Sequence, residues 1–300
     1  MTMCVSNTSV EDHRAAFGLL VKREDLCCPG GPNFSKTRGV WAHIAGRPEE
    51  FIGVLDTVHS QGGWAVARAC VLLGKSCIEY YPVRKADRSK PFCETWGDVQ
   101  RECCSLGAGI VSLPAGRSSV LYYAAQKRLV SDRLRLKNGG LPSTYMMPNA
   151  LKLPEMITET AAEVARTQHL MPNGWNAVRT VLVSASSGTI AAGVLLGLIQ
   201  LGWSGTLVIH QGYSRPQDAV RRYMDKMIEE HWPEHPHPPG TGRVNIRRVM
   251  VDECYSYADA ARSGPTPPWP CNKYYDLKAL RWWVTHGHAQ YGEALMWNIG

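Results

Sequence analysis

In the second half of the chain, short unbroken apolar runs take turns with longer amphipathic stretches. A run that is apolar on both faces suits a strand buried between helices, and the stretch after it suits the helix that crosses back over the sheet. On this basis 178–184 read as a strand, 189–201 as a helix, 205–210 as a strand, 216–230 as a helix and 244–251 as a strand. A helix over 275–286 and a strand over 294–299 follow. Ahead of them, 154–168 carries Met156, Ile157, Thr160, Ala161, Val164 and Ala165 on one helical face, with Pro154 near the helix start, where its missing N–H is tolerated. The first half repeats the alternation, with strands over 51–55, 76–81 and 109–113 and helices over 64–73 and 100–106. No block of hairpins and no internal repeat interrupts it, so the fold class is α/β with parallel-rich sheets.

A length of 300 residues suits one large domain or two that share a cleft. With 44% apolar and 20% charged residues the chain is neither disordered nor fibrous, and no stretch approaches the ~18 continuous apolar residues of a membrane span. Residues 1–24 lack a charged segment followed by an apolar one, so the expected location is cytoplasmic and the ten cysteines read as reduced. Cys27-Cys28 and Cys103-Cys104 are adjacent, too close for two thiolates to chelate one zinc ion, and read as buried free thiols. The breaker-rich segment 231–242 reads as an extended insertion whose His231, His235 and His237 are incidental rather than metal ligands.

Charge is unevenly spread. Residues 38–150 hold 15 Lys and Arg against 9 Asp and Glu, a balance of +6 out of the whole chain's +7. Arg84, Lys85, Arg88 and Lys90 form one cluster, and Lys127, Arg128, Arg133, Arg135 and Lys137 another, opposed only by Asp132. Solvated helix faces account for such clusters, and an anionic partner, nucleic acid included, would leave the same mark.

Three segments carry chemistry. Ser184 to Gly193 is a small-residue loop between an apolar strand and an apolar helix, where backbone N–H groups and the helix dipole favour an anion; it reads as a phosphate cradle and fits neither the Walker lysine loop nor the dinucleotide fingerprint. Val21 to Arg38 brings a Gly-Gly turn to Lys36 at a helix start, a position the dipole disfavours for a cation. Asp56 to Trp64 is a polar loop between a strand and a helix, at the end of the sheet where open parallel sheets bind ligands.

Together these segments resemble the fold-type II pyridoxal-phosphate enzymes, the tryptophan synthase β-like group, nearest to its branch of 1-aminocyclopropane-1-carboxylate deaminase and D-cysteine desulfhydrase. Arg23-Glu24-Asp25, Gly30-Gly31 and Lys36-Thr37-Arg38 look like that branch's segment around its Schiff-base lysine, and Ser60-Gln61 is similar to its Ser-Asn pair. Ala185 to Thr189 resembles the family's phosphate loop, Tyr275-Asp276-Leu277-Lys278 its late Tyr-acid-x-Lys motif, and MWNIG its last core strand. Gln61 stands where the family has asparagine, Ser187 where it commonly has glycine, and four residues separate Gly31 from Lys36 where it usually has one.

The resemblance implies a two-lobed, three-layer αβα fold with the cofactor, pyridoxal 5′-phosphate, in the cleft between lobes. Residues 1–37 and 151–300 would form the larger, cofactor-binding domain and 38–150 a smaller basic domain covering the substrate side. Lys36 would hold the cofactor as a Schiff base and then act as base, while Ala185, Ser186, Ser187, Gly188 and Thr189 would bind its phosphate. Gln61 would meet the pyridine hydroxyl, Ser60 the substrate carboxylate and Asp276 the pyridine nitrogen; Tyr275 would stack on the ring or serve as an acid. The leading expectation is an enzyme that labilises a bond at the α-carbon of an amino acid, as a lyase or deaminase, and the resemblance implies a homodimer. A second reading keeps that chemistry but places the amino acid on a nucleobase in DNA, contacted through the basic 38–150 region. A third is a binding module that keeps the fold without catalysis.

Overall fold

A computed structural model describes residues 4–57, 59–132, 143–171, 173–231 and 245–300. The chain divides into two compact units, one of Thr2–Gly39 with Pro154–Gly300 and one of Val40–Leu153. In chain order, β1 (Val10–His13), α1 (Arg14–Phe17) and β2 (Leu19–Arg23) open the larger unit, and α2 (Thr37–Ala45) spans the boundary in sequence. The smaller unit holds β3 (Phe51–Leu55), α3 (Gly62–Leu72), β4 (Ser76–Val83), α4 (Asp98–Ser105), β5 (Gly109–Pro114), α5 (Ser118–Asp132) and β6 (Thr144–Met146). The larger unit then resumes with α6 (Pro154–Thr167), β7 (Thr180–Ala185), α7 (Thr189–Gln200), β8 (Gly205–Gln211), α8 (Gln217–His231), β9 (Ile246–Val251), α9 (Asp276–Trp282), α10 (His288–Tyr291) and β10 (Ala294–Asn298).

The larger sheet has the order β1-β2-β10-β7-β8-β9 and is parallel except for β1, which runs antiparallel to β2 at the edge. Its central strand, β10, comes last in sequence and is buried throughout. On one face Leu19, Val21, Leu182, Val208 and Met296 pack with Ala279, Leu280 and Trp283. Alternation along the strands turns Val181, Val183, Ile209 and Leu295 to the other face, and their burial shows that it too is covered. There α7 lies against α6 so closely that a Cβ added at Gly193 would stand 2.6 Å from Thr160 Cβ, and one at Gly197 2.6 Å from Val164 Cβ. The smaller sheet, β5-β4-β3-β6, is parallel throughout, with a core of Phe51, Ile78, Tyr80, Leu121, Leu129 and Met146.

Several elements depart from the sequence reading. The antiparallel β1–β2 pair, α5 and β6 were not foreseen by apolar periodicity, while the helix start expected at Lys36 is found one residue on, where α2 begins. In β2 the reason is visible: Lys22 and Arg23 are buried as ions, Lys22 Nζ 2.7 Å from Glu163 Oε1 and Arg23 Nη2 2.8 Å from Asp25 Oδ2, so a strand with charges inside does not read as apolar. In α5 the apolar Val120, Tyr123 and Val130 are exposed, which blurs its stripe. On α6 Ala165 is exposed and Glu163 is buried in its place, because Lys22 and Arg38 pair with it. The helix expected over 275–286 leaves α-geometry at Trp282 and passes through a π turn, Trp283–Gly287, into α10. Cys27, Cys28 and Cys103 are buried free thiols, but Cys104 is exposed. His235, His237, Arg133, Arg135 and Lys137 lie outside the described residues. Among those described, no helix is long and apolar enough to cross a membrane.

Candidate active site

The small-residue loop takes the place its sequence implied. β7 ends at Ala185, Ser186 and Ser187 follow, and Gly188 caps α7, which begins at Thr189. Gly188 has φ +89°, in the left-handed region, and a Cβ there would lie 3.3 Å from both Tyr223 Cδ1 and Val220 Cγ1, so the turn demands glycine. The opening of this 12-residue helix presents backbone N–H groups that lack intrahelical partners. Hydroxyls join them: Ser187 Oγ lies 3.0 Å from Thr189 Oγ1, which lies 3.2 Å from Tyr223 OH. Arg215 donates to the Ser186 carbonyl and fixes the loop from behind. Lys36 Nζ reaches the same loop and donates to Ser187 Oγ at 3.4 Å.

Lys36 stands immediately before α2, on a segment held by Ile299 and Gly300, which follow β10. Ser35 N–H donates to the Ile299 carbonyl at 2.8 Å, and Thr37 Oγ1 to the Phe34 carbonyl at 2.5 Å. Gly300 has φ +94°, and a Cβ there would come within 2.0 Å of the Asn33 carbonyl oxygen. Its N–H donates to Asp276 Oδ2 at 3.0 Å, so the last residue links the lysine segment to the carboxyl group expected to face a pyridine nitrogen. The other oxygen, Asp276 Oδ1, is buried and has no hydrogen-bond partner among the described residues. Burial pushes the Asp276 pKa up to about 8, with help from the Asp25 charge and against the Ile299 and Gly300 N–H groups.

Tyr275 caps α9 and packs over Gly212, where an added Cβ would meet its ring at 2.9 Å. Gly212 N–H in turn donates to the Ala185 carbonyl at 2.9 Å, which sets Tyr275 next to the phosphate-type loop. Lys278, quoted in the sequence motif but given no role there, secures this corner: its buried Nζ donates to the Gly212 carbonyl and lies 4.3 Å from the centre of the Tyr255 ring. Burial lowers the Lys278 pKa to about 8 despite the opposing Asp259 and Glu253 charges. Lys36, Ala185 to Thr189, Tyr275 and Asp276 thus share the larger unit and are joined through Ser187, Gly212 and Gly300.

Ser60 and Gln61 belong to the smaller unit, in the loop between β3 and α3. Gln61 is the N-cap residue of α3, and Ser60 Oγ accepts the Gly62 N–H at 2.9 Å. Beneath them lies a pair of carboxyl groups that sequence reasoning did not single out. Asp56 accepts hydrogen bonds from the Thr57 and Gly63 N–H groups and from the Ser60 side chain, and it also hydrogen-bonds Glu79. Gln100 Nε2 donates to Glu79 Oε1 at 2.8 Å. Burial raises both acids and the Glu79 charge raises Asp56 further, so both carboxyl groups are harder to ionise here than in water, and the pair reads as a clamp under the loop. The available signal was a glutamate inside the apolar run SCIEYY.

No family model matches the chain. A glycyl-dTMP PLP-dependent decarboxylase of Pseudomonas phage M6 is 44% identical to it over 305 residues, covering 99% of this chain and 100% of that one. The chain belongs to the fold-type II pyridoxal-phosphate enzymes. Solved structures share the fold: an ACC deaminase homologue superposes with a TM-score of 0.76 at 17% identity, covering 100% of this chain and 91% of its own. A fungal L-serine ammonia-lyase from Rhizomucor miehei does so with a TM-score of 0.62 at 13% identity, covering 100% and 94%. The cofactor of this fold-type II enzyme is pyridoxal 5′-phosphate, and the residues present fit it. An amine stands beside an anion-binding helix start, and a buried carboxyl oxygen without a partner is available for a protonated ring nitrogen.

Proposed function

We propose that this chain decarboxylates an amino acid carried on a thymine nucleotide. The observation that carries the reading is the end-to-end match to the phage decarboxylase, which is named for a nucleotide-linked glycine, glycyl-dTMP. It moves the expected reaction from deamination to loss of carbon dioxide, and it joins the leading sequence reading to the second one, in which the amino acid sits on a nucleobase.

In this reading Lys36 holds pyridoxal phosphate covalently, Ala185 to Thr189 receive its phosphate, and Asp276 Oδ1 receives its ring nitrogen. The cofactor supplies an electron sink for the pair left on the α-carbon when carbon dioxide departs. Gln61 meets the pyridine hydroxyl and Ser60 orients the substrate carboxylate. A neutral hydroxyl does so without the charge-assisted clamp of an arginine, which is roughly twice as strong, so less ground-state stabilisation has to be undone as the carboxylate leaves. The α-carbon then needs a proton, and Lys36 Nζ is its donor, with Tyr275 lining the same corner. The Asp56–Glu79 pair acts through Ser60 as a positioning device. A homodimer in the cytoplasm belongs to the same reading.

The test is to incubate the holoenzyme with glycyl-dTMP and follow the product by mass spectrometry beside a panel of free amino acids. A product lighter by one carbon dioxide, absent with Lys36→Ala, is expected. Turnover of free amino acids with none of the conjugate would overturn the substrate, and a retained visible cofactor band with no turnover of anything would favour the non-catalytic module.

A further inference from the structure

The smaller sheet gathers basic side chains at one end. β4 and β5 leave it side by side, Val83 paired with Pro114, so Arg84 to Lys90 and Ala115 to Arg117 start from the same edge. β3 leaves three residues earlier, Leu55 paired with Tyr80, and the Asp56 to Gln61 loop starts beside them. The segment after β5 then travels. β5 and β6 are the two outer strands, separated by three strand spacings or roughly 14 Å. Yet Ser118 Oγ donates to Asn149 Oδ1 at 3.0 Å, in the connection after β6. The chain around Arg117 therefore crosses the carboxyl ends of β4 and β3, over the origin of the Ser60 loop. The Tyr81 phenol, buried at this end, senses Arg84 and Asp56 alike.

The charges here are available. Arg84, Lys85, Arg88 and Arg117 are exposed, and none is engaged in an ion pair among the described residues. Lys90 is occupied by Asp87 at 2.7 Å, and between residues 84 and 94 the only other acid is Glu94. Asp56 and Glu79, the carboxyl groups beneath the Ser60 loop, are buried and face inward partners, the Thr57 and Gly63 N–H groups, the Ser60 side chain and Gln100, rather than the arginines.

From the placement of Arg84, Arg88 and Arg117 in connections that leave the same end of the sheet as the Ser60 loop, we infer that the smaller sheet binds the phosphate ester of a nucleotide substrate, separately from the loop that receives the cofactor phosphate. The inference rests on the proposed nucleotide-linked substrate and assigns its second anchor. Guanidinium groups suit the task because their planar donors match phosphate oxygens two at a time. The same chemistry serves a free 5′-monophosphate and a phosphodiester in a DNA strand.

The experiment titrates the full-length holoenzyme, its α7 loop already taken by cofactor, with thymidine, with thymidine 5′-monophosphate and with a short single-stranded thymidine oligonucleotide. Equilibrium dialysis reads binding, and the visible cofactor band reports an intact site. The monophosphate is expected to bind roughly tenfold or more tightly than thymidine, and each of Arg84→Gln, Arg88→Gln and Arg117→Gln to narrow that gap, the three together closing it. Tighter oligonucleotide binding that falls steeply with salt assigns the diester source, and tighter monophosphate binding assigns the free nucleotide. Equal binding of thymidine and its monophosphate by the wild type overturns the inference with no variant needed, as does a gap that survives the triple substitution. Phosphate preference without loss of carbon dioxide from glycyl-dTMP would keep this anchor and sink the decarboxylase reading; decarboxylation without phosphate preference would do the reverse.

Discussion

Asp276 keeps one carboxyl oxygen on the Gly300 N–H and buries the other without a partner. Its folded pKa of about 8 stands above the ordinary 3.8, so its contribution to stability is full below pH 4 and is lost as pH rises towards 8. Cofactor-free wild type compared with Asp276→Asn should therefore lose relative stability between about pH 5 and 8, at up to about 1.4 kcal/mol per pH unit, and level off above that. Urea midpoints across that range are the measurement, and a rising difference would contradict the assignment. Gly300→Ala should be felt at the lysine instead: a side chain there has to push the Asn33 carbonyl aside and to adopt a left-handed φ. At least tenfold weaker pyridoxal-phosphate binding, with far-ultraviolet circular dichroism retained, is the expected pair of results. The lysine and its loop were legible because each is local, a glycine turn before Lys36 and a run of small residues after an apolar strand. The Gly300–Asp276 tether and the Asp56–Glu79 clamp were not, since each depends on atoms brought together by the fold.

At the scale of elements, α6 and α7 set the position of the phosphate-type loop, and their contact depends on two residues without side chains. Gly197→Val places methyl groups where Val164 Cβ and the Ala161 carbonyl already sit, so the helices must separate, at about 1–3 kcal/mol or more by chemical denaturation. A denaturation midpoint equal to wild type would show that α6 yields freely. Glu163→Ala should do greater harm, about 3–5 kcal/mol, because Lys22 and Arg38 would then be left buried beside one fewer carboxylate, and Glu163→Gln should lose less than the alanine. This also shows which elements could be read in advance. β7, β8 and β10 are largely apolar on both faces and read plainly, whereas in β2 Lys22 is satisfied by Glu163, 141 positions further on, and no local window contains that information.

At the scale of the molecule, the smaller unit is one continuous stretch of chain, while the larger is assembled from its two flanks. Removing residues 294–300 should abolish hydrogen-exchange protection in β2, β7 and β8 but leave it in β3 and β4, and protection lost everywhere would mean that the units unfold as one. The strand those residues form sits between β2 and β7. Until it arrives on a ribosome, both neighbours show open edges, rows of unsatisfied N–H and C=O groups that can template pairing with another chain. A late central strand is therefore a hazard of synthesis: slow elongation through 294–298, or termination before it, should give aggregates rather than a smaller enzyme.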